Sequence, residues 1–325
     1  MNTTQHYDIS TLVLTYHPDL NKLFQTLQSA LLQQDIRQQI VVADDGTPND
    51  FFPQVKAFLD ARGFADYVLV KLPENGGTVR NLQNGLLACQ GTYMKAISPG
   101  DYLNGPHILA DWIGFMQDNE LTMCGADAIY YRPDEAGSSK PVVANAHPQR
   151  IGLTRTALRD NYLLYDDLFL GAAVVCKTDV FQRYVDEIAG KVIYAEDNCL
   201  RLMVYRGESV GFWQQDAVLY ETGSGVSTGG SDKWTKRLQA DWDATNAILA
   251  ASSCGNPQFQ KQLNIVIKNA HLTGWRGYVS WLQTKGLLSH RLCQKLRPRL
   301  TSSHLPYEWM QKLQTCAADM TPPQP

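Results

Sequence analysis

The chain lacks the signatures of several large protein classes. Its 325 residues hold no Cys-x-x-Cys pair, no His-Glu-x-x-His and no clustering of cysteine with histidine, which excludes the common structural and hydrolytic zinc sites. Neither Gly-x-Gly-x-x-Gly nor Gly-x-x-x-x-Gly-Lys-Ser/Thr follows the first apolar run, where Thr15-Tyr16-His17-Pro18-Asp19 stands instead. A dinucleotide-binding turn and a P-loop are therefore excluded at that position. Long apolar runs are missing, since the stretch from Ile9 to Tyr16 is far too short to span a bilayer. The first eight residues carry neither Lys nor Arg, so they do not read as a secretory leader. The seven cysteines are odd in number and scattered, several within apolar runs, which points to reduced core residues and a cytoplasmic protein. Low-complexity sequence is confined to the Pro-rich stretch from Thr321 to Pro325. With 44% apolar and 19% charged residues, the composition is that of a globular chain.

What is present begins with an uneven charge. From Asn256 onward, nine Lys and Arg face only Glu308 and Asp319, a net of +7, so the remainder carries −10. A basic tail on an acidic body suits an anionic surface, either lipid headgroups or nucleic acid, or is simply a solvated helical face. Trp275, Tyr278, Trp281 and Trp309 interleave with those cations, a mixture that favours lipid; no motif supports nucleic acid.

The first hundred residues alternate short apolar strands with amphipathic helices. Strands are predicted over 9–16, 39–44, 67–71 and 93–97, with helices over 19–32, 52–62 and 78–89 between them. This order implies right-handed crossovers and a mostly parallel sheet covered by helices on both faces. The organising stretch is Gln39 to Thr47, in which Ile40-Val41-Val42-Ala43 run straight into Asp44-Asp45-Gly46-Thr47. Ligands of open parallel sheets collect beyond the carboxyl ends of the strands, so Asp44 and Asp45 stand at a binding edge. The plainer alternative is an Asp-Gly turn with solvated carboxylates.

Taken together, four segments resemble the family 2 glycosyltransferases of the GT-A fold. They are Thr15-Tyr16-His17, Asp44-Asp45-Gly46-Thr47, the run Asn75-Gly76-Gly77-Thr78-Val79-Arg80-Asn81, and Ala195-Glu196-Asp197, in the family's order over about two hundred residues. The resemblance implies a GT-A, Rossmann-like central sheet flanked by helices over residues 1–250. Its nucleotide-binding half would cover about 1–105 and its acceptor half about 106–250, with a basic helical C-terminal appendage over 251–325. It further implies a nucleotide-sugar donor, most simply a UDP-sugar, with Thr15, Tyr16, Asp44, Asp45, Asn75, Gly76 and Ser98 around the nucleoside and Arg80 reaching a phosphate. Arg80 paired to Asp44 or Asp45 as a structural bridge is the other reading.

The chain departs from the family where a divalent cation is usually held. In Ser98-Pro99-Gly100-Asp101 only Asp101 keeps a carboxylate, so the expectation is a weak Mn2+ or Mg2+ site contacted by Asp101. The alternative is metal-free stabilisation of the leaving diphosphate by Arg80, Lys95 or His17. The resemblance makes Asp197 the general base, with Glu196 beside it, in a single displacement with inversion. On local sequence alone, the two are ordinary first-turn acids of a helix over 196–206. The implied acceptor is a glycan or lipid-linked glycan of surface polysaccharide, met at the inner face of a membrane. A catalytically impaired nucleotide-sugar-binding subunit and a sugar nucleotidylyltransferase remain as alternatives. The stretch from Arg132 to Gln149 reads as a mobile loop, and Thr222 to Ser231 as a flexible lid or a linker.

Overall fold

The computed structural model describes residues 6–133, 139–143, 155–164, 168–222, 232–252, 256–270, 272, 274–277, 279 and 306–318. Its core is built on β1 (Tyr7–Thr15), β2 (Gln38–Asp44), β3 (Tyr67–Lys71) and β4 (Gly91–Ile97). β1 lies parallel between β2 and β4, and β2 is parallel to β3. Side chains alternate across a strand, so the two faces of this sheet feed two separate cores. Leu12, Leu14, Val41 and Ala43 enter one, while Ile9, Val13, Ile40 and Val42 enter the other. The polar residues in these buried strands are paired. Ser10 Oγ donates to Gln39 Oε1 at 2.6 Å and Thr11 Oγ1 to Gln38 Oε1 at 3.0 Å, which removes the cost of burying them.

Helices α1 (Leu20–Leu31), α2 (Phe52–Asp60) and α3 (Thr78–Leu86) make the crossovers. Asp19 caps α1, accepting from Asn21 N and Lys22 N at 2.9 and 3.2 Å. The first four strands and three helices thus stand where the sequence places them, with ends shifted by up to three residues.

The second half breaks the parallel rule. After β5 (Tyr102–Leu103) and α4 (Ile108–Asp118) come β6 (Met123–Pro133), β7 (Ser139–Val143), α5 (Arg155–Leu164), β8 (Val174–Lys177), α6 (Thr178–Ile188), α7 (Asn198–Tyr205) and β9 (Val210–Glu221). Among the described residues the sheet has nine strands in the order β3-β2-β1-β4-β8-β6-β9-β5, with β7 paired to β6. β8 is antiparallel to both β4 and β6, whereas β6 and β9 are parallel. The sheet is therefore mixed, and only its first half is parallel throughout. Part of the predicted loop over 132–149 is strand, since the ends of β6 and β7 pair antiparallel; the predicted lid over 223–231 lies outside the described residues.

The longer helices that follow among the described residues are α8 (Asp232–Ala251), α9 (Pro257–Lys268) and α10 (Tyr307–Ala318). They pack onto the body. Phe259 and Leu263 of α9 join the first core, and Met310 and Leu313 of α10 cover Tyr102, Ile129, Tyr131 and Leu219. Trp309, read from sequence as part of an interfacial tail, donates its Nε1–H to Leu103 O at 2.8 Å and so belongs to this docking contact. Among the described residues, no helix is long and apolar enough to cross a membrane.

Candidate active site

Parallel register brings the sequence segments together. Thr15 pairs with Asp44 and Val13 with Ile97, so β1, β2 and β4 end at one edge and deliver Thr15-Tyr16-His17, Asp44-Asp45 and Ser98 to Asp101 side by side. Tyr16 remains 50% exposed there, with its ring edge-on to His17 at 4.4 Å. An exposed aromatic face at a strand end is a ready surface for a base.

Asp44 and Asp45 are both buried and both engaged by the chain itself. Asp44 accepts from Thr47 N at 2.8 Å and from the hydroxyls of Thr47 and Thr15 at 2.7 and 3.2 Å. Asp45 accepts from Asn75 Nδ2 at 2.9 Å, Gly76 N at 2.7 Å and Gly77 N at 3.0 Å. Its carboxyl is nonetheless raised above the ordinary range, because burial outweighs those donors. Asp45 thus shapes the Asn75-Gly76-Gly77 loop, and that loop leads into α3. Gly77 has φ +87, and a Cβ there would stand 2.5 Å from Ile193 Cγ2, so only glycine fits. Arg80 is exposed one turn into α3, with its stem against Gly76.

On the far side of the edge lies a cleft of about 270 Å³ lined by Ser98, Asp101, Gly171, Tyr194, Glu196, Asp197 and Glu221. The sequence-predicted metal contact and base therefore share one cavity. Ser98 is exposed at its lip and Asp101 is buried in its floor. Asp101 Oδ1 accepts from Glu221 N at 3.0 Å, and burial pushes its carboxyl up to about 7, held back by that N–H and by the Lys95 charge. Lys95 is wholly buried and driven down to about 8 by desolvation. Its Nζ donates to Ala172 O at 2.5 Å and also to Ala96 O. It serves as a counter-charge to Asp101; the sequence expectation that it meets a leaving group directly does not match this placement.

Glu221, the last residue of β9, escaped the sequence reading. Gly100 has φ +101, and a Cβ on it would fall 2.5 Å from Glu221 Oε2, so the carboxylate from β9 occupies the space of a side chain at position 100. Glu221 Oε1 is paired with Lys22 Nζ at 2.6 Å. The donor set here suits at most a weakly held divalent cation, one that would take most of its ligands from donor phosphates. Of the expected metal segment only Asp101 supplies a carboxylate, one of its oxygens is already hydrogen-bonded, and the ammonium groups of Lys95 and Lys22 lie beside the two acids. Among the described residues no group of three or more His, Cys, Asp or Glu is arranged to hold a metal ion.

Asp197 stands at the N-cap of α7 and makes no side-chain capping hydrogen bond to it. Burial raises both Glu196 and Asp197 above ordinary carboxylates, and the charge of Asp197 adds to the rise at Glu196. Arg201, one turn into α7, favours the ionised form of Asp197. The 3-10 turn Gly171–Ala173 leaves room for this acid, since a Cβ on Gly171 would lie 3.1 Å from Asp197 Cβ. A carboxylate raised toward neutrality and lining a cleft is suited to accept a proton from a hydroxyl.

No protein-family model matches the chain, and no curated protein matches it by sequence. Solved structures do. Residues 1–349 of S. aureus TarS in complex with UDP-GlcNAc align over 96% of this chain and 89% of that one, with a TM-score of 0.57 at 14% identity. The same part of TarS in complex with UDP aligns over 96% and 88%, with a TM-score of 0.56 at 14% identity. A mannosyltransferase, PcManGT from Pyrobaculum calidifontis in complex with GDP-Man and Mn2+, aligns over 97% and 87%, with a TM-score of 0.55 at 13% identity. The fold is that of the GT-A-like glycosyltransferases.

Proposed function

We propose that the chain is an inverting glycosyltransferase that moves a sugar from a nucleotide-diphosphate donor, a UDP-sugar in the simplest reading, to a hydroxyl of a glycan or lipid-linked glycan. The observation that carries this reading is the shared cleft, where the strand-end segment Ser98 to Asp101 faces Glu196 and Asp197. The nucleotide ligands named for the structural neighbours, UDP and UDP-GlcNAc for TarS and GDP-Man for PcManGT, support a nucleotide-sugar donor. In this reading Tyr16 and Thr15 border the base. The Asn75-Gly76 loop, fixed by Asp45, lies against the ribose or phosphates, Ser98 lies at the lip beside the nucleoside, and Arg80 supplies a permanent cation to the diphosphate. Asp197 takes the proton of the attacking hydroxyl, and Glu196 keeps the site electrostatically tight. A divalent cation bound with the donor would be contacted by Asp101 and would help to neutralise the departing diphosphate.

A lipid-linked acceptor rests on the basic C-terminal stretch, of which Lys268, Arg276 and the 73%-exposed Trp275 fall among the described residues. Sites in Lys285, Arg291, Lys295, Arg297 and Arg299 lie outside them. The test is release of nucleoside diphosphate across a panel of nucleotide sugars. A transferase releases it slowly in water and faster with acceptor, and a fall of that activity in chelator marks a divalent cation bound with the donor, whereas full activity in chelator leaves the diphosphate to Arg80. Ser98 and Gly100 in place of carboxylates favour the second reading, a nucleotide-sugar-binding subunit without turnover. Binding without release for every donor would establish that one.

A further inference from the structure

Asp241, in α8, is a buried carboxylate with a run of three consecutive backbone donors. Its Oδ1 accepts from Ile193 N at 2.9 Å, and its Oδ2 accepts from Tyr194 N at 2.7 Å and Ala195 N at 3.0 Å. The next two residues in the chain are Glu196 and Asp197. A carboxylate bound by successive N–H groups is a strong, directional anchor, since charge-assisted hydrogen bonds are about twice as strong as neutral ones. The same segment is gripped from the other side. Ile193 O accepts from Val79 N at 3.0 Å at the start of α3, and Ile193 fills the space beside Gly77. One residue beyond Asp241, Trp242 lies under Arg201 of α7, with the guanidinium 3.8 Å from the ring centre. Consecutive residues of α8 thus hold both the loop before the acid pair and the helix after it.

We infer that Asp241 is a positioning residue for transfer, tethering residues 193–195 so that Glu196 and Asp197 are held at the cleft wall in register with the donor-side loop at Gly77. The inference rests on the reading of Glu196 and Asp197 as the acid pair of a transferase. Asp241 touches neither donor nor acceptor in this role; it acts through the backbone it binds, and its charge also adds to the rise at Glu196. Exchanging one of its oxygens for an amide NH2 sets a donor against one or two of the three N–H groups and lets the loop drift, which changes the geometry of proton transfer while leaving the nucleotide pocket formed by Asp45 and residues 75–77 in place.

The experiment compares Asp241→Asn, Asp241→Glu and Thr245→Val in the full chain. Thr245 Oγ1 donates to Asp241 O within α8, so Thr245→Val perturbs the same helix but keeps the tether. Asp241→Asn is expected to lower turnover by about 10²-fold, the scale set by an ångström of misplacement, with unchanged affinity for UDP. It should also speed amide exchange at Ile193, Tyr194 and Ala195. Asp241→Glu should restore part of the turnover, and Thr245→Val should change neither turnover nor exchange at those amides. In an Asp197→Asn background, Asp241→Asn should have almost no further effect on turnover. Losses that add fully in the double variant, UDP affinity that falls in step with turnover, or unaltered exchange at the three amides would each overturn the inference. If the unmodified chain turns over no nucleotide sugar, the transferase reading falls, while amide exchange still decides whether the tether exists.

Discussion

At the end of β2, Asp44 and Asp45 turn their oxygens toward N–H and hydroxyl donors of neighbouring turns, whereas before α7, Glu196 and Asp197 line an open cleft. Both are adjacent acids at the end of an element, and sequence alone gives them similar standing. The structure separates them by how their charge is compensated. Asp44 and Asp45 draw on the turn at Thr47 and the loop at residues 75–77, so their oxygens are taken up in building the nucleotide half. Glu196 lies in a desolvated wall beside the charge of Asp197, and Asp197 is itself buried there and eased by Arg201, so burial raises both carboxyls above their ordinary values. The scaffold uses of a carboxylate are thus read from its donors, and the chemical uses from what opposes its charge.

The sharpest break of this comparison is Asp197→Asn. Turnover is expected to fall by about 10²–10⁴-fold with UDP affinity unchanged, because a general base acts in the transition state. Steady-state transfer paired with calorimetry checks it. In the unmodified chain, turnover should rise with pH as the raised carboxyl ionises, above the pH at which an ordinary carboxylate would titrate. Full activity in the variant would move the base to Glu196. A smaller effect follows at the other pair. Asp45→Ala leaves the donors of Asn75, Gly76 and Gly77 without their acceptor, and UDP binding should weaken by about 1–3 kcal/mol as the loop loosens. Here turnover at saturating donor should change little, the reverse of Asp197→Asn. Because the carboxylate is buried, the melting temperature should also drop, and an unchanged melting temperature would argue for a freely solvated Asp45.

Most of the nucleotide half was legible because its signals are local. Strand three is found over Tyr67–Lys71 as the residues predict, and a strand running into Asp44-Asp45 can only end at the sheet edge. Less of the acceptor half was legible, since its decisive contacts are between residues far apart in the chain. Asp241 reaches the backbone at 193–195, nearly fifty positions earlier. Glu221 takes the space at Gly100, and Trp309 of α10 binds Leu103 O. None of these has a periodicity or motif to announce it. A buried Lys95 in β4 offered a signal, because a lysine amid Tyr93, Met94 and Ala96 must find compensation inside the fold. From sequence Lys95 is one of three cations that could meet the leaving diphosphate in the absence of a metal, and in the fold the carbonyls of Ala96 and Ala172 and the charge of Asp101 account for it instead.

That buried pair gives the smallest of the expected effects and extends the comparison to a third pair of charges. Asp101 has its folded value raised from 3.8 to about 7, so its contribution to stability is fully present below about 4 and is lost as pH rises to about 7. Lys95 has its folded value lowered from 10.5 to about 8, so its contribution is present above about 10.5 and is lost as pH falls to about 8. Near neutral pH both carry charge in a dry setting, and there the pair costs the fold most. Melting temperature followed across pH should therefore dip in that window. Asp101→Asn should flatten the acid limb of the dip, since the amide has no proton to lose and its oxygen can still accept from Glu221 N. The limb above about 8 should persist, because Lys95 remains buried. Loss of both limbs in Asp101→Asn would show that the lysine is neutral once its partner is gone, and that the pair titrates as one unit.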